Sequence, residues 1–149
     1  DELSKGKNYY EKLEELCWIY SQDFPVPEGI SMTREPYEQF LKEQRLFEEK
    51  RYGVEIVATD GKKFIGSTDI SIYPKSDPFK AWTGGLGVLR EYRRRGIATA
   101  MKIKAYKKLI MKDIKQVRTD NEENNPMYLI NIDLGFKPEP YRYEYQKEI

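Results

Sequence analysis

The chain has 149 residues, enough for one compact domain around a single core and too few for two ordinary ones. Lys and Arg number 26 against 25 Asp and Glu, and the resulting net charge of +1 gives no global pull towards nucleic acid. Histidine is absent and Cys17 is the only cysteine, which excludes Ser-His-Asp and Cys-His nucleophilic mechanisms, an internal disulfide and a thiolate zinc cage; a metal-free site in a reducing, cytoplasmic setting is the expectation. No apolar run approaches the roughly 20 residues that cross a bilayer, and Asp1-Glu2 does not open a secretory signal, so no membrane partner is expected.

Tyr9, Leu13, Leu16, Cys17 and Tyr20 recur at three- and four-residue steps, which predicts an amphipathic helix from about Asn8 to Ser21, with Cys17 as a small buried apolar side chain. Two prolines and Gly29 then break the ladder. Thr33 offers a cap and Pro36 a first turn for a second helix carrying Tyr37, Phe40 and Leu41, and Gln44 to Lys50 either prolong it or connect onward. From Tyr52 the period shortens to two: Val54, Ile56 and Ala58, the tight-turn pair Asp60-Gly61, and a strand from Lys63 to Tyr73 predict an antiparallel hairpin.

After a loop with Pro74, Asp77 and Pro78 comes a glycine-bearing strand, about Trp82 to Leu89, then a long helix from Gly96 to about Lys112. A short strand at Val117 to Asp120 leads to a helix from Pro126 to Leu134, opened by Asn124-Asn125 and closed by Gly135. Phe136, Tyr141, Tyr143 and Tyr145 read as final strand material. The chain is expected to be a single domain over residues 1–149 with no internal repeat.

The most informative segment runs from Gly87 through Arg90 and Arg93-Arg94-Arg95-Gly96-Ile97-Ala98-Thr99 to Ala100, where a strand ends in a basic turn that opens directly into a helix. The first N–H groups of a helix have no internal partners, and the helix dipole places partial positive charge there, so such a turn binds anions. Gly96 and Ala98 keep the backbone approachable, and the arginines add attraction. The P-loop pattern G-x-x-x-x-G-K-[ST] does not occur, and Gly85-Leu86-Gly87 lacks the third glycine of a dinucleotide fingerprint, so neither ATP nor NAD is favoured.

The spacing [Q/R]-x-x-G-x-[G/A], filled by Arg93, Gly96 and Ala98, resembles the acyl-CoA pyrophosphate loop of the GNAT (GCN5-related N-acetyltransferase) superfamily. The segment from Thr119 to Phe136, with Asn124, Asn125-Pro126 and Leu134-Gly135-Phe136, is similar to the family's fifth strand, fourth helix and Leu-Gly-Phe turn. The likeness covers about Tyr52 to the C-terminus and extends loosely over the two leading helices. It is particularly similar to tandem-domain members such as mycothiol synthase, which implies a second GNAT domain in a parent chain. The polar Asp1 to Lys7 and the missing initiator methionine fit that expectation of a C-terminal fragment, with a preceding domain supplying or replacing the first strand.

The resemblance implies an α/β fold with a mixed, mostly antiparallel sheet of about five to seven strands flanked by helices. It also implies transfer of acetyl from acetyl-CoA to a primary amine. In this chain Arg93, Arg94, Arg95, Gly96, Ile97, Ala98 and Thr99 would hold the pyrophosphate, Leu86 and Val88 would pair with the pantetheine arm, and Asn124 would touch it. The Leu86 N–H would meet the thioester oxygen. Asn131 stands where the family often has an acidic tyrosine, and no carboxylate stands near Trp82 and Thr83. Asp69 and Asp120 are substitutes for the base by placement, and water is a third carrier. The alternative is a degenerate domain that binds acyl-CoA, or supports a partner domain, without turnover. Lys102, Lys104, Lys107 and Lys108 read chiefly as solubility features, with one in reach of the 3'-phosphate. Glu91 and Asp113 interrupt any continuous basic face, so a nucleic-acid partner is not expected.

Overall fold

The computed structural model describes residues 8–26, 29, 31–50, 52–73, 75, 77–121 and 125–140. Its elements are α1 (Tyr9–Ser21), α2 (Tyr37–Lys50), β1 (Tyr52–Asp60), β2 (Lys63–Tyr73), β3 (Asp77–Val88), a 3-10 turn (Arg90–Tyr92), α3 (Ile97–Met111), β4 (Gln116–Arg118) and α4 (Pro126–Asp133). The sheet order is β1-β2-β3-β4, with antiparallel pairing through β3 and a parallel partner in β4. Parallel strands need a crossover, and α3 supplies it. No helix among the described residues is long and apolar enough to cross a membrane.

Register determines what each sheet face carries. Val54 lies opposite Ile70 and Ile56 opposite Thr68, whereas Glu55 lies opposite Asp69 and Val57 opposite Ser67. Because neighbours along a strand point to opposite faces, the first set is apolar but for Thr68 and the second largely polar. The apolar face packs Val54, Ile56, Ile70, Ile72, Ala81 and Val88 against Met101, Ala105 and Leu109 of α3. Ile70 and Leu109 are fully buried, and each such side chain contributes about 1.5–3 kcal/mol. The opposite face is covered by α1, with Leu16 and Tyr20 buried against Leu89, and by α2, which packs along β1.

The structure corrects several boundaries. Thr33 does not cap α2; the Pro36 carbonyl accepts from the Gln39 and Phe40 N–H groups, and the helix then runs unbroken to Lys50. β3 begins at Asp77, five residues early, and takes in Pro78, because its pairing with β2 is irregular between Ile72 and Tyr73 and demands no amide there. β4 ends at Arg118. The described residues form four strands, fewer than the expected five to seven. Phe136 is not in a strand: Gly135, at φ 88, turns the chain so that the Phe136 N–H caps the Asn131 carbonyl at 3.0 Å. Tyr141, Tyr143 and Tyr145 lie outside the described residues.

Two glycines in β3 make room for the polar face. A Cβ at Gly87 would stand 2.0 Å from Cγ of Tyr20, whose ring lies flat on the strand, whereas one at Gly85 would meet nothing nearer than 3.5 Å. Gly87→Ala is therefore expected to displace the Tyr20 ring and destabilise the fold by about 1–3 kcal/mol, with Gly85→Ala close to neutral. Chemical denaturation of the two variants checks this.

Candidate active site

β3 and β4 part company after a short contact. They pair from Lys80 opposite Gln116 to Trp82 opposite Arg118, and one step further the Thr83 hydroxyl donates to Thr119 Oγ1 at 2.6 Å. β3 then continues to Val88 with no strand beside it on that side among the described residues. The Leu89 N–H donates to the Ile65 carbonyl and the Gly85 N–H to Asp69, both towards β2. Alternate residues face the other way, so Leu86 and Val88 present their N–H groups to the open edge. The Val88 carbonyl on that edge already accepts from Arg93 Nε at 2.8 Å, leaving its N–H as the group on offer.

The open edge leads directly into a second set of bare amides. Arg94 (φ 59) and Gly96 (φ 74) adopt left-handed backbone and wind the chain into α3, which has no side-chain cap. The first helical bond is Ala100 N–H to the Gly96 carbonyl, 2.9 Å. Among the described residues, no N–H from Arg94 to Thr99 has a backbone acceptor. These amides and the helix dipole converge on one spot, a ready site for a phosphate.

The arginines do different work from one another. Arg93 and Arg90 both grip Asp23, just beyond α1, and Arg93 also ties back to Val88. Arg95 donates to the Glu91 carbonyl at 2.9 Å and stacks on Tyr92. Arg93 and Arg95 thus brace the loop from inside, and the anion-binding groups are mainly backbone. The two guanidiniums hold the Asp23 carboxyl far below the usual carboxylate range.

On the polar face, a cleft of about 180 Å³ lies between β1, β2, α1 and α2, lined in part by Cys17, Tyr20, Glu43, Glu55, Ser67 and Asp69. Cys17, expected as core, is half-buried at this wall; Tyr20 and Ser67 hydroxyls share a hydrogen bond of 3.1 Å, and burial pushes the Cys17 thiol up. Glu55 and Asp69 stand side by side across the β1–β2 ladder. The Tyr9 hydroxyl donates to Glu55 at 2.7 Å. Asp69 also reaches β3: its Oδ1 accepts from the Gly85 N–H at 2.8 Å where the β2–β3 register slips, and a Cβ at Gly84 would lie 2.0 Å from its Oδ2. One carboxylate therefore joins the cleft to the strand that carries the open edge. Among the described residues no three His, Cys, Asp or Glu side chains are grouped so as to hold a metal ion.

On the apolar side, Asn131 of α4 is buried between Lys102 of α3, which donates to its Oδ1 at 2.8 Å, and Asn121 beyond β4, which accepts from its Nδ2 at 2.5 Å. Lys102 is only 3% exposed, unlike the surface lysine that its charged neighbours suggested. The overlooked signal was spacing, since Lys102 falls four residues after Ala98 and three before Ala105 on the helix's inward stripe. Asp120 is exposed beyond β4 and is not among the residues that line the cleft. Asn124 lies outside the described residues.

Comparison with known proteins adds to this geometry. A family model described as Acetyltransferase (GNAT) family matches residues 13–130. An aminoglycoside antibiotic 6'-N-acetyltransferase from Acinetobacter haemolyticus superposes with a TM-score of 0.70 at 17% identity, covering 97% of this chain and 95% of that one. An aminoglycoside acetyltransferase from an uncultured soil metagenomic sample, solved with sisomicin, gives 0.70 at 16% identity over 95% and 91%. AAC(6')-Iy, solved with the bisubstrate analogue CoA-S-monomethyl-acetylneamine, gives 0.67 at 17% over 96% and 94%. No curated protein sequence matches the chain significantly.

The Asp23 clamp makes a pH prediction. A carboxyl whose folded pKa is depressed adds stability above its unfolded value of about 3.9, and that stability is lost as pH falls below it. Asp23→Asn is expected to lower the melting temperature at neutral pH and to flatten its decline between about pH 5 and pH 2 relative to the unaltered chain. Thermal melts across that range test it.

Proposed function

Because the chain belongs to the acetyltransferase (GNAT) family, we propose that it moves an acetyl group from acetyl-CoA to a primary amine of a small, cationic acceptor. The observation that carries this reading is the continuity of the β3 edge with the amides of the α3 entrance, both bare among the described residues, an order of donors that suits a polar arm ending in a diphosphate. The N–H groups of Arg94, Arg95, Gly96, Ile97, Ala98 and Thr99 would hold the diphosphate, with Arg93 bracing the turn. Leu86 and Val88 would pair with the arm, and Asn124 would touch it. A thioester supplies an activated acyl carbon; the Leu86 N–H would stabilise its oxygen as charge develops there.

The acceptor reading rests on the cleft. Glu43, Glu55 and Asp69 come from three elements, and that spread suits an organic polyamine better than a point charge. Asp69, at the junction of cleft and strand, is better placed than the exposed Asp120 to take the proton from the attacking nitrogen. The aminoglycoside partners of the solved relatives are compatible with such an acceptor. A second acetyltransferase-like domain in the parent chain and a cytoplasmic location belong to the same proposal, the former on the Thr119–Phe136 segment.

A second reading, an acyl-CoA-binding domain without turnover, is favoured by one observation: Asn131 has no titratable proton, and both ends of its amide are engaged. Thiol release from acetyl-CoA across a panel of polyamines and aminoglycosides separates the two. Release with at least one amine supports transfer, CoA binding without release supports the second reading, and no CoA binding defeats both. Gly96→Glu, which sets a negative charge among the bare amides, is expected to raise the CoA Kd at least about tenfold with the fold intact. Asp69→Asn is expected to lower kcat about a hundredfold while the acetyl-CoA KM changes little. Calorimetry and steady-state kinetics check the pair.

A further inference from the structure

Lys102 carries a buried amine with no carboxylate partner among the described residues. Its Nζ donates to Asn131 Oδ1 at 2.8 Å and lies 3.4 Å from the Tyr106 hydroxyl, while the rings of Tyr106 and Phe136 stand 5.9 Å away. An ammonium has three donors, so one N–H has no acceptor among the described residues. Desolvation lowers the Lys102 pKa to about 8. Among the described residues, the groups that face it are the Tyr106 hydroxyl of its own helix, the Asn131 amide of α4 and the Phe136 ring beyond α4. Burial pushes Tyr106 up to about 12, so it stays neutral and leaves the ammonium without a counter-charge among the described residues.

Its position in the fold is informative. Met101, the preceding residue, packs at the end of β3: its Cε stands 3.1 Å from where a Cβ on Gly66 would lie, and Gly66 pairs with Val88. Lys102, one residue on, turns instead towards α4 and the segment beyond β4, through Asn131 and Asn121. It lies on the α3 side of the sheet, whereas Asp69 lies on the α1–α2 side. An amine entering from the cleft and a leaving group departing towards α3 and α4 would meet opposite kinds of group: a carboxylate on one side and an uncompensated ammonium on the other.

We propose that the Lys102 ammonium, held against Asn131, gives its proton to the thiolate that departs during acyl transfer. The inference rests on the transfer reading above. As the acceptor nitrogen bonds to the acyl carbon, the carbon–sulfur bond breaks and its electron pair remains on sulfur. Sulfur takes a proton from Nζ, Lys102 becomes a neutral amine, and the proton that Asp69 removed from the acceptor returns through water to restore the ammonium. An alkyl thiol is no stronger an acid than a cysteine thiol, which titrates at about 8.5, so an ammonium lowered to about 8 passes its proton to the departing thiolate favourably. Asn131 cannot supply the proton and serves instead to position the group that does.

The test uses the full chain with CoA itself, and so needs no acceptor. Thiolate absorbance of bound CoA is followed against pH for the unaltered protein and for Lys102→Met, which keeps the length of the side chain. The expected result is a bound thiol that titrates about one pH unit or more below free CoA, with the shift lost in the variant although CoA still binds. A bound thiol that titrates like free CoA, or a Lys102→Met protein with the shift intact, overturns the proposal. Lys102→Gln gives the same reading if the Met variant does not fold. In acetyl transfer, the rate of the unaltered protein should fall above about pH 8, and Lys102→Met should lose that limb and about a hundredfold in kcat, with the acetyl-CoA KM within about twofold. Absence of CoA binding by the unaltered protein would overturn the transfer reading along with this one, whereas binding with an unshifted thiol overturns this one alone.

Discussion

Backbone amides without backbone partners among the described residues govern this structure. A strand edge or helix start normally finds hydrogen-bond acceptors within the protein or in water. Here β4 is only Gln116–Arg118, so β3 loses its parallel neighbour after Trp82 while its own course continues to Val88. The chain then enters α3 through left-handed Arg94 and Gly96, with no side chain to cap the helix. Two sets of donors that secondary structure would usually consume follow one another along the chain, from the β3 edge to the start of α3. Arg93 links them physically, since it anchors to the Val88 carbonyl and to Asp23. The loop is consequently held in shape by its own cations before any anion arrives, a form of preorganisation.

The sheet separates two chemical environments by nothing more than alternation. Ile70 looks towards α3, and Asp69 beside it looks towards α1 and α2. Carboxylates therefore gather on one face and the buried Lys102 on the other, with the open edge of β3 at the boundary. The glycines of β3 are part of the same device. Gly84 admits the Asp69 carboxylate and Gly87 admits the Tyr20 ring, and both approaches would be blocked by a Cβ. Direct transfer between two bound partners is compatible with a chain that has no histidine, because neither the donor strand nor the flanking carboxylate and amine require a covalent intermediate.

Much of this was legible in the residues alone, for identifiable reasons. The hairpin around Asp60-Gly61, the helix beginning after Gly96 and the α4 start at Asn125-Pro126 all carry local signals, a turn pair or a cap, that tertiary context reinforced. Asn125 indeed accepts from the Met127 N–H at 2.9 Å. The start of β3 was hidden because Pro78 normally argues against a strand, and only a register irregularity in β2 makes it tolerable. The α2 extension was hidden because Gln44 to Lys50 are polar on nearly every side. For the site, the bare amides followed from the loop pattern, but the bond from Gly85 to Asp69 and the burial of Lys102 are long-range facts. Lys102 is 29 residues from Asn131, and no local pattern pairs a lysine on one helix with an asparagine on another.

Amide hydrogen exchange of the full chain, followed residue by residue with and without saturating CoA, tests the central claim most directly. Exchange at Leu86, Val88 and Arg94 through Thr99 should be fast in the free protein and slow markedly on binding, while amides already bonded towards β2, such as Leu89, change little. Unaltered exchange at those edge and loop amides in a CoA-saturated sample would contradict the account.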